Sequence, residues 1–213
     1  MKLLSVALAR ALWFVDVNEL NPGGRDVYAH LFPALVEEYK FKSYPKPGDD
    51  LTQGMKFTNG EFVKEDGTVL AVNCTVYTDG LAVDTYSSTD DSEELLKEFL
   101  TDLPDLGFAY NPDMIRRKSY VSYVNVKSSR SLHALNPKLA EFAKRLSAEI
   151  GGTVFDLSAI EFWPDQTLVV KPVNFSFQRK LGDPHDSDRY WSQAALPTAK
   201  HLELLEEFEA ILS

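Results

Sequence analysis

Apolar and polar residues alternate from Val69 to Tyr77. Leu70, Val72, Cys74 and Val76 share one side of the pattern, with Ala71, Asn73 and Thr75 on the other, the period-two signature of a half-buried strand. Thr78-Asp79-Gly80 predicts a tight turn, since Asp-Gly readily supplies positive φ, and Leu81, Val83 and Thr85 resume the alternation on a returning strand. The period then changes. Asp91 is a candidate N-cap with Glu94 three residues on, and Leu95, Leu96, Phe99 and Leu103 predict a helix with one apolar side.

A similar order recurs downstream. Gly152-Thr153-Val154 echoes Gly67-Thr68-Val69, and Phe155, Leu157 and Ala159 are expected to stand where Leu70, Val72 and Cys74 do. A second hairpin is expected to turn at Trp163 to Gln166. The final helix reads Glu203-Leu204-Leu205-Glu206-Glu207-Phe208, against Glu94-Leu95-Leu96-Lys97-Glu98-Phe99. Upstream, Val15-Asp16-Val17 before Asn21-Pro22 parallels Val124-Asn125-Val126 before Asn136-Pro137. The expected fold class is α+β, a single compact domain of two similar strand-helix-hairpin-helix halves (about 1–107 and 108–213), with a mainly antiparallel sheet and helices packed on one face.

The remaining segments fill in this plan. The first strand is expected to run toward Val17. Val27, Leu31, Leu35 and Tyr39 predict a helical segment in which Pro33 makes a kink or a fresh start. Lys42 to Gln53 reads as loop, and Asn59-Gly60 within Phe57 to Phe62 as an extra hairpin without a counterpart in the second half. Tyr120, Ser122, Val124 and Val126 share one side of a strand. Asn136 caps a helix that starts at Pro137 and ends at Gly151-Gly152, with Leu139, Phe142, Ala143, Leu146 and Ile150 expected to pack into the core. Thr167 to Lys180 reads as a long edge-type strand interrupted at Pro172.

Composition narrows the function classes. At 213 residues and 44% hydrophobic content the chain can bury a full core, while a net charge of -10 disfavours general binding to nucleic acid or anionic membranes. Met1 to Arg10 resembles a secretory signal superficially, but Arg10 interrupts its apolar run, and no stretch approaches membrane-spanning length. The one cysteine, Cys74, lies on the inward side of its strand and reads as a small buried hydrophobe, consistent with a reducing, cytoplasmic setting.

Motifs of the common enzymes are missing: there is no phosphate-binding glycine loop, no Gly-x-Ser-x-Gly and no His-Glu-x-x-His. His30, His133, His185 and His201 are scattered, and His201, in the first turn of the last helix, reads as a solvated imidazole. Asp183-Pro184-His185-Asp186-Ser187-Asp188 gathers metal-ligand types, yet a surface turn is built of the same residues. Basic residues interleave with aromatics around Lys118 and from Arg179 to Tyr190, a pattern suited to stacking on single strands or to protein contact. The favoured expectation is a non-enzymatic interaction protein: an adaptor, inhibitor or subunit of a larger bacterial-type cytosolic assembly. Its partner is a protein or a second copy, it uses no cofactor or metal, and its partner-binding residues are Arg179, Arg189, Tyr190 and Trp191. The alternatives are a metal-dependent hydrolase built on Asp183 to Asp188, and a single-stranded nucleic-acid binder using the stretches from Arg116 to Arg130 and Arg179 to Arg189.

Overall fold

The structure, a computed structural model, describes residues 1–49, 53–151 and 153–212. Its strands are β1 (Lys2–Phe14), β2 (Met55–Val63), β3 (Val69–Val76), β4 (Gly80–Thr85), β5 (Arg117–Lys127), β6 (Ala159–Phe162), β7 (Phe175–Arg179) and β8 (Arg189–Ala194). The helices are α1 (Val17–Leu20), α2 (Val27–Tyr39), α3 (Thr89–Asp102), α4 (Pro137–Ile150) and α5 (Thr198–Ile211). The protein is α+β, with its strands hydrogen-bonded in the order β2-β3-β4-β1-β5-β8-β7-β6 and antiparallel pairing along β2-β3-β4-β1 and β5-β8-β7-β6. It divides into two compact units, Leu8–Val121 and Met1–Ala7 with Ser122–Ser213, with the division inside β1 and β5.

In the N-terminal unit the expected hairpin of β3 and β4 forms, with Cys74 opposite Val83. Ala11 and Trp13 of β1, Phe57 and Phe62 of β2, and Val72, Leu81 and Val83 share one core with Phe32, Leu35 and Tyr39 of α2 and Leu95, Leu96, Phe99 and Leu100 of α3. Both helices therefore bury their apolar sides against the same face of the strands.

Three local expectations change. Helix α2 passes through Pro33 without a break. Ala29, whose carbonyl loses its N–H partner there, is exposed with Pro33, so water can satisfy that group. Asn59-Gly60 is a bulge within the continuous strand β2, where the register shifts between Phe57 and Gly60 and Asn59 has φ 56. A Cβ on Gly60 would lie 2.5 Å from the Phe41 ring, so glycine is needed for this close approach. The N-cap of α3 is Ser88 rather than Asp91: its hydroxyl accepts from the Asp91 N–H at 3.1 Å and donates to Asp91 Oδ2 at 2.8 Å. Of the expected loop from Lys42 to Gln53, residues 50–52 lie outside the described residues, and Ser43 bridges to Thr58.

The C-terminal unit has its own core of Val124, Val126, Leu132, Phe177, Tyr190, Leu205, Phe208 and Leu212. Each unit follows the order strand, helical segment, three antiparallel strands, helix. The residue equivalence expected from Gly152 onward does not hold. No strand forms across 153–158, β6 begins at Ala159, and the place of β3 within its unit is taken by β7. The correspondence of the last helices does agree in burial: Leu96, Phe99 and Leu103 are buried, as are Leu205, Phe208 and Leu212. Thr167 to Lys180 is not one long strand. Only Phe175–Arg179 is extended, and it lies between β8 and β6, so the sheet edges are β2 and β6.

Candidate interaction site

Alternation along β8 splits the segment from Arg179 to Trp191. Tyr190 is 0% exposed and stacks on Phe177, with ring centroids 4.3 Å apart. Its hydroxyl accepts from the Leu132 N–H at 3.3 Å, and burial raises its pKa, partly offset by the Arg179 charge. Arg179 is 9% exposed and fully engaged: Nη1 donates to the His185 carbonyl at 2.5 Å, Nη2 to Ser131 Oγ at 2.9 Å, and Nε to the Leu157 carbonyl at 3.2 Å. Arg189 and Trp191 lie on the other side of the strand. Arg189 is exposed, with Nη1 3.5 Å from Asp183 Oδ2, and Trp191 is half-buried beside Tyr123, 5.4 Å between rings. Of the four residues the sequence singles out, these two reach solvent.

Arg179 also organises a cluster that spacing along the chain does not reveal. Asp156, whose side chain is 2% exposed, places Oδ2 2.8 Å from Arg179 Nη2, 2.8 Å from His133 Nε2 and 3.8 Å from His185 Nδ1. These are close charge contacts rather than aligned hydrogen bonds. Ser131 precedes α4 and Asp156 follows it, so both ends of that helical excursion are tied to one arginine on β7, and His133 adds a direct contact between them through Asp156. The guanidinium already fills the place beside the carboxylate that a cation would take. Among the described residues, no three His, Cys, Asp or Glu side chains converge as a metal-binding group. Two of the three aspartates of the 183–188 loop instead face arginines, Asp183 near Arg189 and Asp188 Oδ1 3.9 Å from Arg179 Nη1.

Helix α4 departs most from expectation. Asn136 caps it as the sequence indicates, its side chain accepting from the Lys138 N–H at 3.1 Å, and Gly151 ends it at φ 65, while Gly152 lies outside the described residues. Yet Leu139, Phe142 and Ile150 are 45%, 62% and 53% exposed, and Ala143 is the one buried residue of the helix. The apolar stripe is present but is not part of the core. Val154, Phe162, Trp163 and Val169, which follow in the chain, are exposed as well, Phe162 on the four-residue edge strand β6. Singly exposed apolar residues are ordinary; a helix side and an adjoining chain segment left bare together are not.

His201 is wholly buried, correcting its reading as a solvated imidazole. Nδ1 is 2.7 Å from Ser122 Oγ and Nε2 is 2.9 Å from Ser192 Oγ. Ser192 donates its hydroxyl proton to the Ser176 carbonyl at 2.7 Å, so its oxygen accepts from His201 Nε2–H, which leaves Nδ1 to accept from Ser122. The imidazole is neutral in this setting, and burial lowers its pKa to about 4. This Ser–His pair has the atoms of a nucleophilic dyad but no access for a substrate. It pins α5 to β5 and β8.

The basic stretches are mostly engaged within the fold. Arg116 Nη2 is 2.8 Å from Glu19 Oε1, the Arg117 guanidinium lies over Phe14, and Lys118 lies over Trp13 while bonding Glu93 at 2.5 Å. Among the described residues no helix is long and apolar enough to cross a membrane. No protein-family model matches the chain, and no curated protein resembles it detectably.

Proposed function

We propose that the protein is a non-enzymatic interaction protein, an adaptor, inhibitor or subunit of a larger cytoplasmic assembly, and that it meets a protein partner or a second copy through the bare side of α4. The observation that carries this reading is the amphipathic α4 itself, with a well-formed cap and an apolar stripe whose largest members face solvent. Covering such side chains yields on the order of 25 cal/mol per Å² of apolar area removed from water, a gain the folded chain leaves unused. Arg189 and Trp191 are additional exposed contacts in this reading, and Arg179 and Tyr190 support them from beneath. The engagement of Arg116 to Lys118 and of Arg179 with carboxylates and rings weighs against the nucleic-acid alternative.

Site-specific crosslinking tests it. A photo-reactive residue placed at Phe142 should give one discrete adduct in cells producing the protein, whereas the same residue at the exposed Glu65 should give none. The adduct's mass separates a second copy from another protein. Equal labelling at both positions, or none at Phe142, removes α4 as the interface.

A further inference from the structure

The C-terminal half of α3 carries an acidic face whose carboxylates form no ion pair among the described residues, although Arg25 lies close by, its Nη1 donating to the Leu106 carbonyl at 2.9 Å. At its start Asp91 and Glu94 pair with Lys64, and Glu93 with Lys118. Glu98 and Asp102 further along, Asp105 just beyond, and Glu38 across on α2 make no ion pair among the described residues. Carboxylates at a helix C-terminus also oppose the helix dipole, and the last turn of α3 has no basic residue to offset them. Glu98 accepts from the buried Tyr39 hydroxyl at 3.2 Å, and its pKa is raised by burial and by the neighbouring charges of Asp102, Glu38 and Glu94.

These carboxylates border a groove between α2 and α3. Its floor is apolar, made by Leu35, Phe99 and Leu106, and Glu38, Asp102 and Asp105 line it as well. The cavity measures about 260 Å³. That is below the ~300–1,000 Å³ usual for small-molecule sites, and it suits one long side chain. An apolar floor beneath a ring of unpaired carboxylates matches a side chain with an aliphatic stem and a cationic head, in which the stem covers the floor and the head meets the rim.

We propose that the groove between α2 and α3 is a docking site for an arginine or lysine side chain presented by a basic segment of a partner protein. It lies in the N-terminal unit and does not depend on α4. Failure of one surface therefore leaves the other standing.

The test uses the full chain and three labelled peptides of one length and leucine content, carrying arginine, lysine or glutamate at the same positions. Fluorescence anisotropy should show binding of the arginine and lysine peptides but not of the glutamate peptide. Amide shifts in NMR should concentrate at Leu35, Phe99, Asp102 and Leu106. The triple variant Glu38→Gln, Asp102→Asn, Asp105→Asn changes exposed side chains only, so it should keep its fold and lose affinity at least tenfold. A matched control, Asp16→Asn, Asp26→Asn, Glu65→Gln, removes equal charge elsewhere and should bind as the wild type does. Equal losses in the two variants, shifts spread over every acidic surface, or no binding of either basic peptide would overturn the proposal.

Discussion

His201 shows at single-residue scale what spacing along a chain conceals. Its position in the first turn of the last helix is where solvated polar residues are common, and Ser122 and Ser192, which enclose it, come from two separate strands. Only the inward parity of Ser122, which shares a strand side with Val124 and Val126, hints at a buried polar contact. Burial gives a pH dependence of definite sign. The folded pKa of about 4 lies below the ordinary 6.5, so between those values the unfolded chain binds more protons. Stability from this group is complete above pH 6.5 and is lost as the pH falls toward 4. At pH 5 the loss is about 2 kcal/mol relative to neutrality. Urea unfolding at pH 7.5 and pH 5 should show this difference in the wild type and much less of it in His201→Gln; an equal acid loss in both proteins places the sensitivity elsewhere. Cys74, by contrast, was legible. It is buried as the alternation implies, burial pushes its thiol up to about 12, and a thiol reagent should react quickly only after unfolding, whereas rapid labelling of the native protein contradicts the inward placement.

At the scale of elements, the sequence is most legible where period and turn or cap residues agree, as in the β3–β4 hairpin and α4, while α3 shows its period but not its cap. Local signals alone do not determine the remaining elements. Asn59-Gly60 has the residues of a hairpin turn, but the demand it meets is the close approach of Phe41, a contact visible only once α2 is placed. For α4 the periodicity established that an apolar side exists and could not tell whether anything covers it. The tie at Asp156 makes α4's attachment testable. Asp156→Asn leaves Arg179 nearly buried without its principal counter-charge, and breaking such a pair costs about 3–5 kcal/mol. Because His133 and Asp156 bracket α4, amide hydrogen exchange in this variant should accelerate more across 137–150 than in α5. Uniform acceleration throughout the C-terminal unit means that Asp156 supports its core generally rather than this helix.

For the whole molecule, the net charge proves to be unevenly distributed, which total composition did not disclose. Of the 22 Lys and Arg and 32 Asp and Glu residues, Leu8–Val121 holds 11 and 20, so this unit carries -9 of the chain's -10. Like charges at that density disfavour the compact state, and the effect is strongest where carboxylates form no ion pair among the described residues, along Glu38, Glu98, Asp102 and Asp105. Added salt acts on two opposing contributions. It screens this repulsion, since the Debye length falls from ~10 Å at 0.1 M to ~3 Å at 1 M, and it weakens ion pairs such as Arg116 with Glu19. Exposed pairs of that kind contribute only about 0–1 kcal/mol each, so the repulsion should dominate. The melting temperature should therefore rise between 0.02 and 0.5 M sodium chloride, values chosen to span about 20 to 4 Å of screening length. Neutralising Glu38, Asp102 and Asp105 should raise the melting temperature at low salt and shrink the further rise on adding salt, because the same repulsion cannot be removed twice. A melting temperature that falls with salt means the ion pairs outweigh the repulsion, and the acidic groove then carries no stored electrostatic cost for a cationic partner to relieve.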